Sequence, residues 1–215
     1  MTALPVIQRL AVTALALSLG ACVHPNQMFA PAVRTGATLN WQAIATDDDR
    51  ERLRGWRNTW LAALDEARPA DTAGLTRQDR LFQPDVALDH ALPPVGDYHC
   101  RTYSLGSRRP SMPAFSMDAG GRCRIAAFGP HLHLTRLDGQ QRPDGLLFTG
   151  GAAQAVFLGT LLLSDEAAPI PYGEDDRRDM IGVIDRVEAK RWRIAIPDQA
   201  LGPKLQLIEL TPAGD

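Results

Sequence analysis

The hydrophobic positions of this chain change period twice. Residues 10–21 form an uncharged, Leu/Ala-rich run behind Arg9. Residues 46–69 then take helical spacing. Leu53, Trp56, Trp60, Leu61 and Leu64 fall at i, i+3, i+7, i+8 and i+11, which is one face of a helix. Thr46-Asp47-Asp48-Asp49 supplies a start, because Thr46 can cap free amides and the acids suit the positive end of the helix dipole. Pro69 supplies the end. Arg50, Arg52, Arg54 and Arg57 lie mostly on the opposite face. At this spacing, beside leucines, Trp56 and Trp60 read as core. A weaker helix is expected over 75–82, broken by Pro84.

Past Pro93-Pro94 the period falls to two. Eight strand-like runs follow, at 97–105, 122–128, 131–137, 145–149, 154–163, 180–188, 191–196 and 205–211. They are short, mostly alternating, and punctuated by Gly, Pro and Asp. Residues 156–163 are too continuously apolar for a half-exposed strand, so they should be central and buried, or covered by the amino-terminal helix. Asp138-Gly139 signals a hairpin turn, with Pro143 delaying regular pairing until Gly145. The predicted fold is α+β and mostly β: amino-terminal helices packed on a small eight-stranded antiparallel β-barrel, which removes free edges. A β-sandwich is the alternative. Residues 41–93 form the helical segment and 94–215 the barrel, together one domain over 41–215.

The first apolar run is too short to cross a bilayer, which takes about 20 apolar residues. Its length and its small-residue exit fit a signal peptide over residues 1–21. Leu19-Gly20-Ala21-Cys22 resembles the lipobox of bacterial lipoproteins. That resemblance implies lipidation at Cys22, cleavage before it, and a durable anchor from more than one acyl chain. Residues 22–40, rich in Pro, Ala and Thr, then read as a lipidated tether. The expected location is the cell envelope, facing the periplasm. Val23 after the cysteine favours the outer membrane.

Composition narrows the picture without naming a chemistry. The 215 residues are 45% hydrophobic and 22% charged, with a net charge of −2. That suits one globular domain and gives no field to steer nucleic acid, so none is expected as a partner. With Cys22 assigned to lipid, Cys100 and Cys123 remain as a pair in an oxidising compartment and are expected to form a disulfide. If the bridge joined residues directly opposite on adjacent antiparallel strands, Tyr98 would face Ile125.

Gly96-Asp97-Tyr98-x-Cys100-Arg101, Gly139-Gln140-Gln141-Arg142-x-x-Gly145, Val156-Phe157-Leu158-Gly159-Thr160, Tyr172-Gly173 and Arg191-Trp192-Arg193-Ile194 occur in that order. In this series the chain resembles domain-of-unknown-function family 4893, exported proteins of proteobacteria, over roughly 41–212. The resemblance implies a single domain and brings no activity. More loosely, Gly-x-Tyr at the start of a barrel is similar to the Gly-x-Trp of lipocalins. Tyr-x-Cys is similar to a motif of membrane-bound lysozyme inhibitors.

Candidate chemistry is sparse. His131 and His133 alternate on one strand face and could share a metal with His99. Without a third ligand at reliable spacing, surface or hydrogen-bonded histidines are the preferred reading, and no metal or cofactor is expected. Residues 172–179 are a charge run without a calcium-loop signature, read as a solvated, self-paired loop. The candidate binding residues are Arg108 and Arg109 in the 106–121 loop, Arg142 among turn glycines, and Tyr172. An arginine in such a setting can fork onto a carboxylate or onto loop carbonyls, and for Arg142 the carbonyls are preferred. No Gly-x-Ser-x-Gly, His-Glu-x-x-His or phosphate-binding loop occurs. No catalytic residue is therefore named. The expectation is a binding module, not an enzyme, taking a small apolar ligand or a periplasmic protein. The alternatives are an inhibitor of a periplasmic hydrolase, inserting the 106–121 or 164–179 loop, and an enzyme of unrecognised type.

Overall fold

The computed structural model describes residues 40–214. The signal peptide, Cys22 and nearly all of the tether lie outside the described residues. Three short or long helices come first: α1 (Trp41–Ile44), α2 (Asp47–Ala67) and α3 (Leu75–Gln78), then a 3-10 turn at Arg80–Phe82. Thr46 caps α2, its side chain accepting from the Asp49 N–H. The single helix expected over 75–82 is instead split, because Asp79 leaves helical geometry and caps the 3-10 turn through the Leu81 N–H.

Nine strands follow: β1 (Gly96–Leu105), β2 (Phe115–Met117), β3 (Gly121–Phe128), β4 (His131–Arg136), β5 (Gln141–Thr149), β6 (Gln154–Leu163), β7 (Asp179–Glu188), β8 (Arg191–Pro197) and β9 (Leu205–Pro212). β1 and β3 to β9 pair in antiparallel sequence, and β1 pairs back onto β9. The result is a closed eight-stranded barrel, as the alternation predicts. β2 is the extra strand. It lies in the loop expected to be irregular and extends the β3 edge along the far half of β1. Asp118 fills the break between them, accepting from the Thr102 and Gly120 N–H groups.

Two details depart from expectation. β5 begins at Gln141, so Pro143 sits inside a strand, opposite Leu161. Pairing with β4 stops at Asp144, so on that side the proline misses no ladder partner. The disulfide Cys100–Cys123 is present, with a Cα separation of 5.8 Å. It is diagonal, however. Cys100 faces Gly121 and Cys123 faces Tyr98, two residues out of the directly opposed register.

The barrel interior is packed. Tyr98, Ile125, Leu134, Leu147, Phe157, Leu161, Met180, Ile184, Trp192, Ile194 and Ile208 all point inward and are buried. Gly145 and Gly159 face each other across β5 and β6, and a Cβ on Gly159 would come within 2.2 Å of the Asp144 carbonyl. This close approach leaves room for the Phe157 ring.

The helical segment covers the outside. Trp60, Ala63 and Leu64 of α2, with Leu81 and Phe82, pack on Tyr103, Leu105, Ala195 and Leu207. Trp41, Ile44, Ala45 and Leu53 cover Leu146, Phe148, Val156, Leu158 and Ile181. β6 is therefore buried on both faces, which accounts for its unbroken apolar run. Trp60 is fully buried core, and Trp56 packs beside it at 5.9 Å.

Arg193 joins the two layers. Its guanidinium is wholly buried on the outer face of β8, paired with Asp185 of β7 at 2.9 Å. It also donates to the carbonyls of Arg80, Leu81, Gln83, Pro84 and Val86, and lies 4.6 Å from the Trp60 ring. Arg191, two residues earlier, ties Asp79 to Glu209. The Arg191-Trp192-Arg193 motif thus fastens the 79–86 segment to the barrel wall on both flanks of an inward tryptophan.

Candidate functional site

The two mouths of the barrel are built differently. At one mouth β1 begins, β9 ends, and the β7–β8 hairpin turns. The segment 90–95, entering from the helical layer with Ala91 and Leu92 packed on the barrel core, borders with these elements a groove of about 760 Å³. That volume is within the range of small-molecule sites. Leu92, Pro94, Val95, Pro212 and Ala213 give it apolar walls. Its floor is the last interior layer of the barrel, the Tyr98 and Trp192 rings, which meet edge to face at 6.2 Å. Burial pushes the Tyr98 hydroxyl up to about 12, so it stays protonated and donates to the Pro94 carbonyl at 2.7 Å.

Polar groups are few and convergent. Arg186 lies over the Trp192 ring at 5.7 Å. It donates to three backbone carbonyls, those of Asp89, Glu188 and Ala189, and pairs with no carboxylate among the described residues. The Trp192 indole is 5% exposed, and its Nε1–H has no acceptor among the described residues. A buried donor without a partner is costly, and such groups mark places where something else completes the bond. Asp97 is the acid on the rim. It is already paired with Arg124 at 2.7 Å, whose guanidinium holds the carboxyl below the usual range.

At the opposite mouth, the amino end of α2, the 164–178 loop and the β8–β9 turn converge on a second cleft of about 540 Å³. Two buried carboxylates, Asp49 and Asp179, lie behind it. Asp179 accepts twice from the Gly173 N–H, at 3.0 and 3.1 Å. Burial and the neighbouring Asp49 charge push it up to about 6, against the opposing pull of that N–H and of Arg52. Tyr172 donates to Asp49 and accepts from the Thr46 N–H at 3.0 Å. Arg52 pairs with Asp49 and donates to the Asp179 and Asp198 carbonyls. Arg52 is thus drawn inward, not left on the solvated face of the helix.

The four candidate binding residues separate. Tyr172 and Arg108 are brought to this second junction, Arg108 through an ion pair with Asp198 at 2.5 Å. Arg109 stays exposed in a local turn. Arg142 forks onto the Ser164 and Glu166 carbonyls, the preferred reading. His133 is buried against Asp144 at 2.8 Å, and Thr135 donates to the same carboxylate. Among the described residues no cluster of three His, Cys, Asp or Glu side chains is arranged to hold a metal. His99 faces Arg122 and Thr211 and does not join His131 and His133.

Sequence reasoning missed Trp192, Arg186, Asp49 and Asp179 as site residues. One signal was available for the last. Asp179 and Asp185 bracket an apolar run at outward positions of a strand whose outer face is covered, and a buried acid needs a dedicated partner. For Trp192, alternation with Ile194 and Ile196 gives the inward direction and nothing about the groove above it.

A family described as Domain of unknown function (DUF4893) matches residues 41–210. No curated protein and no solved structure matches. No helix among the described residues is long and apolar enough to cross a membrane.

Proposed function

The chain belongs to the DUF4893 family, which carries no known activity, and from that premise we propose that it is an envelope-anchored binding module. Its ligand is a small, largely apolar molecule seated in the groove over Tyr98 and Trp192. The anchor is the lipid on Cys22 that the amino-terminal pattern predicts, with the domain facing the periplasm. One observation carries the reading: a groove of about 760 Å³ whose aromatic floor holds a buried indole N–H without an acceptor. Because the barrel interior is packed, the ligand lies at the mouth and not inside.

The two loops offered for an inhibitory role are both tied to their own domain, so that alternative stays open and the groove is the observation that sets ligand binding ahead of it. Ser107 and Arg108 are held by Glu66 and Asp198, and residues 115–117 are paired into the sheet. The 164–179 loop is pinned by Glu166–Arg178, Tyr172–Asp49 and Gly173–Asp179.

The test is native mass spectrometry of the protein purified from its own envelope. The expected spectrum shows a diacylglyceryl-type mass on the Cys22 peptide and a copurifying small molecule. The variant Ala213→Phe, which fills the groove wall, should lose that molecule. Retention of the molecule by Ala213→Phe, or its absence from the native protein, would overturn the groove. An unmodified Cys22 peptide would overturn the anchor.

A further inference from the structure

We infer that the groove selects an amphipathic monoanion, an apolar chain ending in a carboxylate, with its head at Arg186 and Trp192. This rests on the ligand-binding reading and adds the chemistry of the ligand. Three features of the groove wall lead to it. Among the described residues the Arg186 guanidinium donates to carbonyl oxygens and pairs with no carboxylate. The rim acid that could have supplied one, Asp97, is taken by Arg124 on the other side. The Trp192 ring lies beneath the same guanidinium, and its buried Nε1–H has no acceptor among the described residues. Both groups are hydrogen-bond donors, and one is a full positive charge. A cationic or donor-only head meets repulsion there. A neutral alcohol can satisfy the indole and leaves the guanidinium uncompensated. A carboxylate provides for both, and charge-assisted bonds are the stronger class.

The remainder of the groove suits the chain of such a molecule. Leu92, Pro94, Val95, Pro212 and Ala213 form a lipophilic trough leading away from the Arg186 wall, and Val95 is 60% exposed.

The experiment compares three probes of equal chain length on the full chain with its disulfide intact: decanoate, decanol and decyltrimethylammonium. Calorimetry reads affinity, and the indole Nε1–H resonance of Trp192, assigned by its loss in Trp192→Phe, reads the contact. Decanoate should bind about tenfold or more tightly than decanol and should move that resonance downfield as it gains an acceptor. Arg186→Gln should weaken decanoate about tenfold and leave decanol unchanged. Equal affinities for decanoate and decanol would overturn the anion selectivity and leave the groove standing as an apolar site. Tightest binding of the ammonium probe would overturn the inference outright, as would an apolar peptide that outcompetes decanoate. Failure of all three probes, with an unmoved Trp192 resonance, would instead remove the ligand-binding reading on which the inference rests.

Discussion

Asp179 and Asp185 sit at opposite ends of β7 and point the same way, outward and under the helical layer. Both are out of water, at 2% and 0% exposure. Their neighbours make them opposites. Asp185 has the Arg193 guanidinium on one carboxylate oxygen and the Gln154 amide as donor to the other. Asp179 has one backbone N–H, and its nearest charged neighbours are divided between an acid, Asp49, and Arg52, whose charge is already committed to Asp49. Burial raises both carboxyls, and only at Asp185 does a dedicated cation counter it directly. The comparison shows that burial alone does not define the role of an acid. Where the strand supplies a matched cation the pair fastens two layers together. Where it does not, the acid is left able to take up a proton near neutral pH.

The largest expected effect comes from breaking the matched pair. Arg193→Ala leaves Asp185 buried without its cation and removes the donor from five carbonyls of the 80–86 segment. Loss of one partner of a buried pair costs about 3–5 kcal/mol. Urea unfolding should show that loss. The variant Arg193→Met with Asp185→Leu, which removes both charges together, should recover part of it. A double variant no more stable than Arg193→Ala would mean that the carbonyl contacts, and not the stranded carboxylate, dominate.

The unmatched acid should announce itself in pH dependence. The folded chain holds the Asp179 proton up to about pH 6, whereas the ordinary carboxyl value is 3.8. Its contribution to stability is therefore fully present below that lower value and is lost as pH rises through 6. Glu66, Asp97 and Glu166, whose arginine or lysine partners hold them low, act in the opposite sense and are lost as pH falls. The difference between wild type and Asp179→Asn isolates the one group, because asparagine keeps an oxygen for Gly173 and cannot ionise. That difference should favour Asp179→Asn by about 1–3 kcal/mol more at pH 8 than at pH 4, following the shift in proton affinity. A flat difference across the range would mean that Asp179 keeps the ordinary carboxyl value in the folded chain.

How far the sequence reaches follows the same division. The barrel and α2 were legible because hydrophobic period is a local property. Residues 156–163 carry double burial in their composition, and Thr46 with three acids carries a helix start. The pairing of Cys100 with Cys123 followed from compartment and number. Its diagonal register did not, since that depends on where β1 and β3 settle against each other. β2 was invisible, being three residues long inside a polar loop and held through Asp118. Tyr172 was singled out as a candidate binding residue, and the structure gives it a bond within the domain, to Asp49, which lies 123 positions away in a helix start that already explained its acids. Long-range polar pairs leave no periodic trace, and the charge run at 172–179 concealed a buried acid among solvated ones. The groove at Trp192 depends on how the 90–95 segment settles against the ends of β1 and β9, which no residue pattern encodes.

The smaller effects test whether the Asp49–Asp179 junction is held by its hydroxyls or by its charges. Tyr172→Phe removes the donor to Asp49 and the acceptor for the Thr46 N–H, while the ring keeps its packing. A buried bond to a charged acceptor contributes about 1.5–3 kcal/mol. Thr46→Ala removes the cap on the Asp49 N–H and leaves the Thr46 backbone bond to Tyr172 in place, at a cost of about 1 kcal/mol. Because the two variants act on one small network, their combination should fall short of the sum. The sign of the coupling is the informative quantity. If Tyr172 positions Asp49 for its cap and for Arg52, removing either contact loosens the other. The second substitution then costs less in the presence of the first. Strict additivity in thermal unfolding would mean that the two bonds are independent, that α2 is fixed by Trp60 and Arg193 alone, and that the two ends of β7 share no mechanical connection through the helix.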